Sequence, residues 1–304
     1  RHPRGKVLGG STMINGMVVI RGQAEDYDEW AAMGLPGWGW ADVLPFFRQS
    51  EDYFGGASDH HGQGGGWRVD TQRAWWPLLD AVREACVQDG LPALDDFNRG
   101  SNEGVGPIHA NQRHGARWSA YDGFLAPARS RPNLRVVTGA LVDRVLLTDG
   151  RATGITWRDD TGGAHQAQAR AQVVLAAGAY GSPAVLMRSG IGDADQLRPL
   201  GIAPRVQRAG VGANLQDHVQ VPMRFRLAPG TATLNAPMNS RLAQARMALR
   251  WALTRRGPLS MAPTQLGLFA RSSPQVARAD LGWNVLPFSK PAFNAPFDAH
   301  PGLT

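Results

Sequence analysis

Apolar residues recur at helical spacing in two long stretches and one short one. Between about Pro77 and Asp89, Leu78, Leu79, Val82, Ala85 and Cys86 return every three to four positions, and Gly90 follows as a stop signal. Between about Ser240 and Arg256, Leu242, Ala245, Leu249 and Leu253 share one face while Arg241, Arg246 and Arg250 lie elsewhere, and Gly257-Pro258 ends the run. Such a basic amphipathic helix suits a membrane surface, but packing of its leucine face on a core is the default expectation. A third, shorter helix follows Ser182, with that serine as N-cap, Pro183 at the first helical position and Gly190 just past the end.

The middle of the chain reads as strands. Leu134–Thr138, Leu141–Leu147 and Thr153–Arg158 are rich in β-branched residues, and Asp149-Gly150 and Thr161-Gly162-Gly163 supply turns, which predicts an antiparallel meander. Val173-Val174-Leu175-Ala176-Ala177 is apolar on both faces, the pattern of a strand buried in a parallel sheet covered by helices. From Val219 the alternation VQVPMRFRL predicts a strand of a different sheet, and a domain boundary is expected near residue 220.

Composition changes this picture little. A net charge of +7 raises the question of nucleic acid, but the cations are almost all arginines, with Lys6 and Lys290 the only lysines, and they are scattered among aspartates rather than clustered. No nucleic-acid partner is expected. No run of about 18 apolar residues exists to span a bilayer. Cys86 is the single cysteine, on the apolar side of its predicted helix, and reads as a small buried hydrophobe.

Two glycine-rich segments carry the candidate chemistry. In Gly5–Val18 the pair Gly9-Gly10 lets backbone approach a ligand closely, Ser11-Thr12 supplies an N-cap for a short helix, and Asn15 projects a donor and an acceptor one turn later. A capped tight turn without ligand explains the same residues. Gly178–Gly192 follows the predicted buried strand directly, and a strand, a glycine turn and a helix start at the carboxyl edge of a parallel sheet form a usual ligand crevice. A tightly packed crossover accounts for it almost as well. The Asp59-His60-His61 run lacks further ligands at metal-binding spacing, His109 and His114 flank a polar loop, and His218 reads as structural. No Gly-x-Ser-x-Gly nucleophile elbow occurs.

Taken in order, these segments resemble a known family. Arg4-Gly5-Lys6-Val7-Leu8-Gly9-Gly10-Ser11-Thr12, then Asn15-Gly16-Met17 and Arg21-Gly22, is similar to the leading signature of the glucose–methanol–choline (GMC) oxidoreductases, and Gly181–Gly192 is similar to the other. Asp96-Phe97-Asn98, Glu103–Gly106, Gly115–Ser119, Arg131–Leu134 and Gly212–His218 match between and after them, in a choline-dehydrogenase-like flavour. The resemblance implies an α/β fold (α+β overall): an FAD-binding parallel sheet with an antiparallel meander, and part of a substrate domain on an antiparallel sheet. Residues 1–58 and 101–220 would belong to the first and 59–100 and 221–304 to the second. It implies oxidation of a small alcohol by hydride transfer to flavin N5, with Gly10, Ser11, Asn15, Gly16, Met17 and Val18 at the pyrophosphate and flavin and the Val142 backbone at the adenine. Gly178 and Ser182 would shape the crevice. Ile14 stands where some members carry a flavin-linking histidine, so FAD would be held non-covalently.

No complete Gly-x-Gly-x-x-Gly is present, and the family's catalytic histidine and its partner are expected beyond Thr304. The chain therefore reads as an internal piece of a longer enzyme, expected to be poorly soluble and colourless alone, with no catalytic residue of its own. A catalytically silent GMC-like binding or scaffold protein is the alternative. A cytoplasmic or membrane-peripheral location is the expectation.

Overall fold

The computed structural model describes residues 2–292 and 294–304. They form two compact units, one made of the chain up to Arg131 together with Pro222–Thr304, the other of Pro132–Val221.

The first unit is built around a three-stranded antiparallel sheet in the order Leu281–Val285, Leu266–Ala270, Gly104–Pro107. The helix Pro77–Gln88 packs on it. Pro77 starts that helix, where its missing N–H is no loss, and Gly90 at φ 99° lets the chain turn out of it. Its Leu79 is completely buried with Val105, Leu266 and Val285, a placement that stabilises by roughly 1.5–3 kcal/mol. Cys86 joins the edge of this cluster, and burial raises its thiol above the ordinary value. Gly106 is required here, because a β-carbon would strike the Leu94 carbonyl where Pro92–Leu94 runs alongside the strand. Two helices, Ala24–Ala32 and Trp40–Ser50, precede a short parallel pair, Glu51–Tyr53 with Trp67–Val69. Between these two strands the chain runs out and back through His61.

The helix Arg241–Thr254 forms as expected, with the Ser240 hydroxyl accepting from the Ala243 N–H and Arg255 closing it at φ 54°. Its packing differs from expectation. Ala243, Met247 and Trp251 make the inward face, fixed by a hydrogen bond from Trp251 Nε1 to the Gly115 carbonyl (2.8 Å), while Leu242, Leu249 and Leu253 face outward, at least 61% exposed. The indole, with the largest apolar area and one donor to satisfy, decides the rotation. Of the strand predicted after Val219, only Phe225–Arg226 forms, paired with Gly302–Leu303.

The second unit holds the meander: Leu141–Thr148, Arg151–Arg158 and Ala164–Gln168, antiparallel in that order. Its turns use Asp149 and Gly150, both at positive φ, and Gly162 at φ 88°. The third strand is Ala164–Gln168, not the predicted Leu134–Thr138, which carries no strand. Val173–Ala177 is likewise unpaired, with Val174 75% exposed. A strand exists only against a neighbour, and none lies beside this segment among the described residues. The helix after it spans Gly178–Arg188, so Ser182 and Pro183 sit inside it rather than at its start. Gly178 at φ 82° allows the helix to begin earlier, and the Ser182 hydroxyl turns back to accept the Ala177 N–H at 3.0 Å. Arg188 and Ser189 anchor the helix end to the first meander strand, through the Val142 and Asp143 carbonyls and the Val145 N–H.

Candidate cofactor loop

In the first unit, Gly9 at φ 94° and Gly10 at φ 56° turn the chain into a single 3-10 turn, Gly10–Met13. A β-carbon on Gly10 would meet nothing within 4 Å, so this stretch of backbone stays open to an approaching molecule. Contrary to the sequence expectation, Ser11 does not cap the turn; Gly9 occupies that position, and the Ser11 hydroxyl accepts from the Gly5 N–H at 3.2 Å. Thr12 ties the turn down, donating its hydroxyl to the Gly9 carbonyl and accepting from the Ala120 N–H at 3.0 Å.

Asn15 follows at the open face. Its Oδ1 accepts from the Met17 N–H (3.1 Å) and from Arg117 Nη1 (2.6 Å), so the acceptor read from sequence is already engaged. Among the described residues Nδ2 meets no partner, which leaves an exposed donor. Met17 adopts φ 61°, a left-handed conformation that costs a non-glycine residue about 1–3 kcal/mol. Two bonds hold it there, from its own N–H to Asn15 and from the Asn111 N–H to its carbonyl at 2.9 Å. Val18 then pairs with Ala110 as an antiparallel bridge.

Arg117 is the residue that sequence reasoning passed over. Its guanidinium bridges the Thr12 carbonyl (2.9 Å), Asn15 Oδ1 and the Asn15 carbonyl (2.8 Å), a planar fork spanning three acceptors on one turn. Burial pulls its pKa below the ordinary arginine value. Gly115–Ser119 was visible as a motif, but its partners stand about a hundred residues earlier. Ile14, beside Asn15, is exposed and carries no group able to form a bond to a cofactor.

Of the remaining predicted residues, Val142 lies in the second unit, paired with Trp157 next to a register shift, its carbonyl accepting from Arg188 Nη2 at 3.1 Å. Gly178 and Ser182 also belong to that unit. His61 and His109 are buried, and His218 is exposed. Among the described residues no cluster of histidine, cysteine and carboxylates could hold a metal ion, and no helix is long and apolar enough to cross a membrane.

The loop thus presents open glycine backbone, an amide donor and an exposed apolar neighbour. Residues 1–220 match the model of the GMC oxidoreductase family. The chain is 39% identical over 285 residues to the mitochondrial choline dehydrogenase of Homo sapiens, covering 94% of this chain and 48% of that protein. It is 41% identical over 294 residues to the oxygen-dependent choline dehydrogenase of Stenotrophomonas maltophilia strain K279a, covering 93% and 51%. It thus spans about half the length of these curated relatives. Among solved structures it is similar to pyridoxine 4-oxidase from Mesorbium loti (TM-score 0.79, 29% identity, 99% of this chain and 55% of that one). It is also similar to an FAD-dependent oxidoreductase from Chaetomium thermophilum (TM-score 0.81, 27% identity, 88% and 49%). With a family model matched over more than two thirds of its length, the chain belongs to the GMC oxidoreductases.

Proposed function

We propose that this protein oxidises an alcohol with non-covalently bound FAD, and that this chain supplies part of the cofactor cradle. The observation that carries the reading is Asn15: its acceptor is consumed by Arg117 and Met17, so its amide presents a donor outward from a turn whose glycine backbone is open. In this reading Gly10 and Ser11 lie along the pyrophosphate, while Asn15, Gly16, Met17 and Val18 line the flavin. The family resemblance alone would put an adenine at the Val142 backbone and have Gly178 and Ser182 shape a crevice within their own unit. Residues 1–58 and 101–220 would form the cofactor domain and 59–100 and 221–304 part of the substrate domain. What FAD supplies when bound is a two-electron acceptor for the alcohol carbon. The chain's own residues bind and orient it; the general base that takes the hydroxyl proton is not assigned to any of them.

The relatives' names specify choline, which makes a small alcohol the substrate class to test first. Purified full-length protein mixed anaerobically with a panel of alcohols provides the test. Bleaching of the flavin absorbance by at least one alcohol is expected. A flavin that no alcohol reduces would favour a silent binding protein.

A further inference from the structure

The chain leaving the cofactor loop is held by a buried group of charges that the proposed reaction does not use. Arg21 donates its backbone N–H to Asn98 Oδ1 (2.7 Å) and pairs through Nη2 with Glu51 Oε1 (2.9 Å). Asn98 returns a bond from Nδ2 to the Val19 carbonyl (3.2 Å), and its own N–H binds Asp96 Oδ1 (2.9 Å). The Val19 N–H donates to the His109 carbonyl (3.1 Å). Glu51 and Asp96 are thus each one step from the Val18–Arg21 backbone, and His61 joins them. Its Nδ1 lies 2.8 Å from Glu51 Oε2 and its Nε2 lies 2.8 Å from Asp96 Oδ2, with the residue 3% exposed.

An ionised carboxylate only accepts, so a histidine facing one on each side must donate from both nitrogens, which requires the imidazolium. Arg21 and His61 then balance Glu51 and Asp96, the condition under which buried charges are tolerated. Burial works against the imidazolium, but the bonds to Asp96 and Glu51 outweigh it and raise the His61 pKa above its ordinary 6.5. The same bonds, with that from Asn98, hold Asp96 well below the carboxylate range despite its burial. Every other group facing the ring is accounted for. Tyr53 stacks on it at 3.7 Å, its phenol kept protonated mainly by burial. His109 Nδ1, 3.8 Å from Asp96 Oδ1, is pushed towards the neutral form by burial. Arg99, largely exposed, pairs with Asp96 at 3.0 Å.

We propose that His61 is a positioning residue: as an imidazolium bridging Glu51 and Asp96 it holds the Val18–Arg21 backbone, and so sets the alkaline limit of flavin retention. The flavin half of this statement rests on the reading of the Gly10–Val18 loop given above. Removing the proton leaves one ring nitrogen's lone pair against a carboxylate 2.8 Å away, with only Arg21 and the largely exposed Arg99 to balance Glu51 and Asp96. Because the folded pKa is raised, the stabilisation is complete below pH 6.5 and is lost as the pH climbs through the raised value.

The test follows three signals on the flavin-loaded protein across the alkaline range: nitrogen chemical shifts of the labelled histidines, amide exchange of Val18–Gly22 corrected for intrinsic rate, and flavin release. The expected result is a cationic His61 at pH 6.5 whose deprotonation coincides with about a tenfold rise in exchange and in flavin release. In His61→Gln, which cannot titrate, that step is absent and exchange is raised throughout. A neutral His61 at pH 6.5, or the same alkaline step in His61→Gln, overturns the proposal. Should that variant not fold, coincidence or separation of the wild-type signals decides. Exchange that steps with His61 while flavin release stays flat supports the anchoring role and overturns the cofactor reading of the loop instead.

Discussion

Replacing Arg117 with methionine lowers flavin affinity by about tenfold or more while leaving the unit folded. The guanidinium makes three bonds to the turn, to the Thr12 carbonyl, to Asn15 Oδ1 and to the Asn15 carbonyl. Bonds to a charged donor are worth roughly 1.5–3 kcal/mol each when buried. Arg117 is only half-buried and the turn is open, so a small part of that sum appears as lost cofactor affinity. Without it Asn15 is free to rotate, and its Nδ2 no longer points outward from a fixed place. Arg117→Lys keeps the charge but offers no planar fork for acceptors on both Thr12 and Asn15, and should fall between methionine and wild type. Asn15→Ala removes the donor itself and should match Arg117→Met. Fluorescence titration of apoprotein with FAD measures all three, and an unchanged affinity in Arg117→Met contradicts the role assigned to it.

Glu51→Ala destabilises the protein by roughly 3–5 kcal/mol, the scale for removing one partner of a buried ion pair. Glu51 is 3% exposed and receives Arg21 Nη2, His61 Nδ1 and the Gly62 N–H. Its loss strands a guanidinium and an imidazolium with one carboxylate between them, in a place with little access to water. Glu51→Gln, which keeps the shape but offers one acceptor where two are used, should cost less. Denaturant unfolding followed by tryptophan fluorescence gives the difference. A loss below about 1 kcal/mol, the range of surface pairs, would mean the cluster is hydrated in solution.

How much of this was legible in the sequence depended on the range of the interaction. Helix Pro77–Gln88 and the meander turn at Asp149-Gly150 were readable because proline, glycine and apolar spacing act within a few residues. The glycine turn before Asn15 was readable for the same reason. Family membership followed from the two motifs in order. The rotation of helix Arg241–Thr254 was not readable, since it is set by an indole reaching Gly115, 136 residues away. Nor was the start of the helix at Gly178, because Ser182 looks like a cap to any local rule, yet the left-handed glycine four residues earlier takes the turn. Val173–Ala177 shows the opposite failure: its residues favour a strand, but strand formation needs a neighbour.

The site itself was half legible. Asn15 and the glycines were named through the family resemblance, since spacing alone fits a ligand-free turn as well, but Arg117, 102 positions on, was not, and its presence changes what Asn15 offers from donor and acceptor to donor alone. His61 looked like a loop histidine beside His60. Glu51 and Asp96 lie 10 and 35 residues from it on other segments, and only the fold turns three ordinary surface residue types into one buried group.

The claim on which the account depends is that the turn from Gly10 to Val18 cradles FAD. A crystal structure of the flavin-loaded full-length protein tests it most directly. Asn15 Nδ2 is expected within hydrogen-bonding distance of the isoalloxazine edge, with the pyrophosphate along Gly10-Ser11. A dinucleotide bound elsewhere, with Asn15 turned to solvent and Arg117 still in place, would contradict it.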